Sequence, residues 1–252
     1  MKLLKARLIL TAITICLSVF TLQAQVHLVS AKRLRVDGTY DSLPNIAMSQ
    51  VLNSYKIRLG VDITRTIGES AQYMAVDAPE CLLSDFLADQ LFLKAHSLTP
   101  GGVDFSILNF GSIRSTLKKG VVTVYDLYRI MPFENELVIL ELKGSDVLSV
   151  FKSMARNGRM GVSNVNLEIK GKKIQSLLIH GKILQEEQIY RIATMDYLAD
   201  GNSGMSALLK AVKRNNSGLK VRDVYIEGIE KLTAQGKKID VQPDSRIKWI
   251  SE

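Results

Sequence analysis

Apolar positions recur along the chain with two periods. Leu82, Leu83, Phe86, Leu87, Leu91 and Phe92 fall at spacings that bring them to one face of a helix, and Ile46, Val51, Leu52 and Tyr55 predict another across 44–57. Between them, Ile63 to Met74 is short, alternating and rich in turn residues. Val103 to Leu108 reads as a strand entered from the turn at Pro100-Gly101-Gly102. Thr123 with Asp126 three residues later marks a helix start before Leu127, Tyr128 and Ile130, and Pro132 stops that helix. Glu136 to Leu142 predicts a strand, Lys143-Gly144 a turn, and Asp146 to Met154 a returning helix. Asn166 to Ile169 and Ile174 to Ile179 flank Gly171 as a hairpin. A strand over Gln188 to Thr194, a helix over Met205 to Val212 and a last strand over Arg246 to Ile250 complete the pattern. Helices and strands mix without strict alternation, which predicts a layered α/β (mixed α+β) domain rather than an all-α or all-β one. No linker-like stretch or solenoid repeat follows residue 40, so a single domain over 40–252 is expected.

The first residues break this pattern. Lys2, Lys5 and Arg7 precede an almost uninterrupted apolar run from Leu8 to Leu22, and Ala24 offers a small residue for cleavage. This reads as a signal peptide over 1–24 followed by an N-terminal extension over 25–39. The run is short for a membrane span, so the expectation is export to the periplasm or the extracellular space with no stable membrane anchor.

Charge and composition change the picture once the signal is set aside. The chain has 252 residues, 33 Lys plus Arg and 25 Asp plus Glu, for a net +8. The signal carries three of those basic residues and no acidic one, which lowers +8 to +5. The remaining basic residues are scattered over Lys118-Lys119, Lys170 to Lys173, Lys210 to Arg214 and Lys237-Lys238, so no nucleic-acid partner is expected. Of the two cysteines, Cys16 belongs to the signal. Cys81, at the head of an apolar helix, has no partner for an internal bridge and is expected to be a small buried residue. His27, His96 and His180 stand in no metal-ligand motif; His96 reads as a helix end and His180-Gly181 as a hairpin turn.

Three stretches carry candidate chemistry. Asn109-Phe110-Gly111-Ser112-Ile113-Arg114 follows a strand, where a loop can offer backbone N–H groups, an amide and a guanidinium fork to an anion. The same pattern also describes a plain turn with a surface arginine. Phe133 follows Pro132 in a turn, and Tyr197 follows a strand and precedes Gly201-Asn202-Ser203-Gly204. Facing one another, the two rings would clamp a planar group; otherwise they are two core aromatics. No Gly-x-Ser-x-Gly elbow, phosphate loop or calcium loop occurs.

Taken in order, Asn109-x-Gly-x-Ile-Arg114, Gly120-x-x-Thr-x-x-Asp126-Leu-Tyr, Met131-Pro-Phe-x-Asn135-x-Leu, Glu141-Leu-x-Gly144, Tyr190-Arg-Ile-Ala-Thr194 and Tyr197-Leu-Ala-x-Gly201 closely resemble the C-terminal domain of the 5'-nucleotidase family. Glu80 to Asp89 and Arg246 to Trp249 fit that domain's two ends, so the resemblance covers roughly residues 40–251. It implies a four-layer α/β/β/α domain that binds the nucleoside part of a nucleotide. By position, Phe133 and Tyr197 match the aromatics that sandwich the base, Asn109 and Arg114 match polar residues that meet ribose and phosphate, and Gly111 lies in the same loop. The chain departs from the family at Phe110 and Ser112, where glycines are frequent, and at Ser203, where an Asp holds the ribose hydroxyls. Pro79 stands where some members have a phosphate-contacting Arg.

In the full-length family, hydrolysis belongs to an N-terminal metallophosphatase domain with two metal ions on Asp and His motifs. This chain has none of those motifs, and only the short stretch 25–39 lies between the expected signal and the resemblance. The expectation is therefore the nucleotide-binding half of a split phosphohydrolase, inactive alone. It has no catalytic residue, metal or cofactor of its own, and the divalent metal sits on a separate metallophosphatase chain. The alternative is a non-catalytic nucleoside-binding or protein-interaction module.

Overall fold

The computed structural model describes residues 45–77 and 80–250, apart from the side chains of residues 56–59, 61 and 157. The expected signal and extension, with His27, lie outside the described residues, as does Pro79. The chain divides into two units, residues 1–51 and 52–252. Helix α1 (Ile46–Ile63) begins in the first and ends in the second. It forms where the periodicity predicts one, but the expected apolar stripe is not buried: Ile46, Val51, Leu52 and Tyr55 are all exposed.

Within the second unit, capping chemistry decides where two helices begin. Thr123 accepts the Asp126 N–H while the Asp126 carboxylate accepts the Thr123 N–H at 2.9 Å, a reciprocal cap that opens α3 (Val124–Ile130). Cys81 does the same for α2 (Leu82–Leu98): the Ser84 N–H donates to its Sγ and its own N–H donates to Ser84 Oγ. The thiol is therefore a half-buried cap that also packs against the core. Before α2, β1 (Thr66–Ser70) pairs antiparallel with β3 (Gly120–Thr123).

The central sheet has five strands in the order β10-β4-β9-β2-β5, built from β2 (Phe105–Asn109), β4 (Glu136–Lys143), β5 (Met160–Ser163), β9 (Ile189–Met195) and β10 (Lys213–Lys220). Both faces of β2 are covered, which explains its unbroken burial. Phe105 meets Phe151 of α4 (Gly144–Asn157), with ring centroids 5.5 Å apart, while on the opposite face Ser106 donates to the Ala88 carbonyl of α2 at 2.7 Å. Helix α6 (Val221–Ala234) packs against α2, so closely that a side chain at Gly228 would strike Gln90 Oε1. A second sheet of four strands, β11-β6-β7-β8, comprises β6 (Val165–Lys170), β7 (Lys173–Ile179), β8 (Lys182–Ile183) and β11 (Ile247–Ile250), and α4 also packs on β7. The result is the mixed, layered α/β class expected from the sequence.

Several elements differ from the sequence reading. At the predicted turn, Lys143 is the last residue of β4 and the N-cap of α4, which begins at Gly144 with no intervening loop. The helix expected over Met205 to Val212 is a short 3-10 turn, Ser206–Lys210. Strand β10, helix α6 and strand β5 were not anticipated. The hairpin at Gly171 and the turn at His180-Gly181 are present. Among the described residues, no helix is long and apolar enough to cross a membrane.

Arg246, just before β11, ties the end of the chain to the start of α2. Its five N–H donors go to both Asp89 oxygens, both Asp244 oxygens and the Val162 carbonyl at 2.6–3.2 Å. Glu80 accepts the N–H groups of Arg246 and Ile247 at 3.1 and 2.8 Å. Asp85, fully buried in α2, lies 3.8 Å from the guanidinium. Burial pushes its carboxyl up to about 8; the Arg246 charge opposes that shift, and Glu80, Asp244 and Asp89 add to it. Glu80, Asp85 and Asp244 come within 4.8 Å of one another, but Asp85 and Asp244 already face the Arg246 guanidinium and Glu80 accepts the backbone N–H groups of Arg246 and Ile247.

Candidate functional site

The pairing pattern gathers the candidate residues at one end of the central sheet. In the antiparallel β4–β9 pair, Leu137 stands opposite Met195, so the loop before β4 and the turn after β9 share an end. Strand β2 runs parallel to β9, with Ser106 opposite Ala193, and therefore finishes at that end too. Phe133 precedes β4, Tyr197 follows β9 in α5 (Asp196–Ala199), and Asn109 closes β2. Open α/β sheets present ligand sites at such strand ends, because the loops there leave backbone groups uncovered.

Asn109, Gly111, Arg114, Phe133 and Tyr197 all line one cavity of about 380 Å³, together with Ser112, Asn135 and Ser203. That volume falls within the roughly 300–1,000 Å³ of small-molecule sites. Phe133 and Tyr197 are 44% and 43% exposed, so they are not core aromatics. Neither ring stacks on another ring of the described residues.

Each wall has its own support. After Asn109 the chain makes a 3-10 turn, Phe110–Ser112, in which Ser112 Oγ donates to the Asn109 carbonyl at 2.6 Å. Phe110 points inward, buried to 3% exposure, so the aromatic that replaces a small residue does not narrow the cleft. A Cβ at Gly111 would press on Asn109 Nδ2 at 3.1 Å, so glycine leaves the amide its space. The Arg114 N–H donates to the Ile130 carbonyl at 2.8 Å and anchors the loop on α3, while its guanidinium is exposed with one 3.4 Å bond to the Gly111 carbonyl. On the Tyr197 side, Asn202 Nδ2 donates to the Tyr197 carbonyl at 2.9 Å and the Tyr197 N–H donates to Asp196 Oδ1 at 2.7 Å. Ser203 adopts a left-handed φ of +54° and accepts from Asn109 Nδ2 at 3.4 Å, closing the floor between the two loops. Asn109 Oδ1 is buried without a partner, an acceptor left for a ligand to fill.

Arg222, in the first turn of α6, is a positioning residue that sequence reasoning missed. Buried to 4% exposure, it donates to the carbonyls of Met131 and Phe133 at 3.3 and 3.5 Å and pairs with Glu134. Its guanidinium also stacks over the Tyr128 ring at 3.8 Å. The Phe133 loop is thus held from beneath by a helix nearly 90 residues later in the chain. The available signal was the helical spacing of Val221, Val224, Tyr225, Ile229 and Leu232. His96 and His180 lie elsewhere: His96 Nδ1 accepts the Val103 N–H at 3.2 Å, and His180 sits 3.7 Å from Asp104. A larger depression of about 740 Å³ between α2 and residues 237–246 is a poorer candidate, because Lys238, Asp89, Asp244 and Arg246 along it are already paired within the chain.

The chain is a layered α/β domain with a cavity between loops at one end of its mixed central sheet. The profile of the 5'-nucleotidase C-terminal domain family matches residues 62–210, and the chain belongs to that family. Protein UshA of Yersinia enterocolitica is 31% identical over 144 residues, covering 55% of this chain and 26% of that protein. Protein UshA of Escherichia coli is 22% identical over 223 residues, covering 86% and 40%. The crystal structure of a 5'-nucleotidase precursor from Thermus thermophilus superposes with a TM-score of 0.72 at 20% identity, over 84% of this chain and 45% of that one. The chain therefore spans less than half the length of each of these relatives.

Proposed function

We propose that the chain binds the nucleoside part of a nucleotide in this cleft and serves as the substrate-binding half of a split 5'-nucleotidase-type phosphohydrolase. The observation that carries the reading is the convergence of Asn109, Gly111, Arg114, Phe133 and Tyr197 on one cavity from three separate loops. In this reading the exposed rings stack on the base, and Asn109 and Arg114 orient the sugar-phosphate. Metals and the attacking water come from a separate metallophosphatase, because the described residues bring no His or carboxylate set into the cleft. The basic start and apolar run of residues 1–22 support export, with assembly outside the cytoplasm.

The test is reconstitution. The purified chain with Mg²⁺, Mn²⁺ or Zn²⁺ is expected to release no phosphate from AMP, and addition of a cognate metallophosphatase to start turnover. Robust metal-dependent turnover by the chain alone would sink the split arrangement. Binding without any reconstituted turnover would favour a non-catalytic nucleoside-binding module, for which the same cleft suffices.

A further inference from the structure

A second cavity, of about 500 Å³, adjoins the aromatic cleft at the Asn109 loop. It shares Asn109, Gly111, Arg114 and Ser203 with the aromatic cleft and adds the apolar Val76, Phe110, Ile113 and Met160 together with Arg159. The sheet explains why Arg159 arrives there. Strand β5 runs antiparallel to β2 with Met160 opposite Asn109, so the residue before β5 stands beside the residues after β2. The Phe110 N–H donates to the Arg159 carbonyl at 3.0 Å and locks the two segments together.

Charge and position together set these two arginines apart. Arg65, Arg191, Arg214, Arg222 and Arg246 each have a carboxylate within ion-pair distance. Among the described residues, Arg114, Arg129, Arg156 and Arg159 have none; of these four, only Arg114 and Arg159 line the second cavity, and no Asp or Glu lines either cavity. Two guanidiniums that share a cavity repel one another unless an anion joins them, and the planar fork of arginine matches the oxygens of phosphate. Beside them sits the Asn109 Oδ1, buried without a partner. A ligand satisfying all three features has a flat ring for the cleft, an N–H or O–H donor in its middle and an anionic group at its far end.

We infer that Arg159 joins Arg114 at the phosphate of the bound nucleotide and is a further binding residue of this site. The ring half of this picture rests on the nucleoside reading above; the anion half does not. Substrates would then be nucleotides with a phosphate one sugar away from the base, bound more tightly than the corresponding nucleosides.

Three probes separate the two halves: inorganic pyrophosphate, adenosine and AMP, each titrated by calorimetry and thermal shift against the purified chain, R159A, R159Q and F133A. Pyrophosphate is expected to stabilise the wild type and F133A but not R159A or R159Q. AMP is expected to bind the wild type about tenfold or more tightly than adenosine, as charge-assisted hydrogen bonds to phosphate imply. Both Arg159 variants are expected to lose that advantage while keeping wild-type affinity for adenosine. A wild-type melting temperature without ligand in both Arg159 variants excludes a folding defect. A pyrophosphate response absent from the wild type, or equal in the wild type and both variants, overturns the subsite. Adenosine that fails to bind, or binds F133A as well as the wild type, overturns the nucleoside reading instead, and the pyrophosphate result still decides on Arg159.

Discussion

Arg246 and Arg114 both stand beside the end of a strand, yet their surroundings are opposite. Arg246 is buried, and all five of its donors find oxygens within the chain. Arg114 is exposed, has a single long bond to the Gly111 carbonyl, and borders a cavity without acidic groups. Asn109 sharpens the contrast, since it is buried like Arg246 but keeps one oxygen unpartnered. Burying a polar group without a partner costs free energy that folding alone does not recover, so a completed set reads as structure and an incomplete set on a cavity wall reads as a ligand site.

The comparison breaks most easily at Arg246. Replacing it with alanine leaves Asp85, Asp89 and Asp244 facing one another without compensation, and should cost about 3–5 kcal/mol in urea unfolding. A loss below about 1 kcal/mol would mean that the clasp is not structural in the sense argued here. Arg222→Ala should have a smaller effect on stability, about 1–3 kcal/mol, because it frees the carbonyls of Met131 and Phe133. Unlike the Arg246 change, it should also weaken adenosine binding with Phe133 itself intact, and unchanged affinity would remove Arg222 from the cleft's support.

The pH dependence tests the interior of the clasp. Asp85 has its folded value raised from 3.8 to about 8, so between those values the folded chain holds a proton that the unfolded chain has released. Its contribution is fully present below pH 3.8 and is lost as pH rises through about 8. Asp244 has the opposite sign: its hydrogen bond to Arg246 lowers its value, so its contribution is lost on acidification. Asp85→Asn should therefore flatten the decline in stability between about pH 5 and pH 8 while leaving the acid limb in place. A decline equally steep in both proteins would contradict the assignment. The smallest effect is expected at Tyr225, a fully buried phenol on α6 whose hydroxyl has no partner. Tyr225→Phe should be neutral or stabilising by up to about 1 kcal/mol, read from the denaturation midpoint.

How much of this was legible in the sequence varies with the physics behind each element. Strands β4 and β9 and helix α2 carry dense apolar patterns because they are buried, and they were read within a residue or two at the strands and at the start of the helix. Strand β10, with sequence KRNNSGLK, carries no such pattern because it is an edge strand exposed along much of its length. Its basic residues looked like loop charges, yet Lys213 pairs with Glu141 and Arg214 with Asp200. Helix α1 failed in the other direction: the spacing was right and the burial was not.

Local spacing and collinear motifs sufficed for β4, β9, α2, the cap at Thr123 and Asp126, the family resemblance and the five candidate residues. That those five share a cavity, that Phe133 and Tyr197 are exposed rather than core, and that Phe110 is absent from the cleft's lining emerged from the folded chain. It alone brought Arg222 beneath the Phe133 loop and Arg159 beside Arg114. Strand register is the reason: whether Met160 faces Asn109 or Leu137 faces Met195 is set by pairing between distant segments, and no local pattern records which strand ends meet.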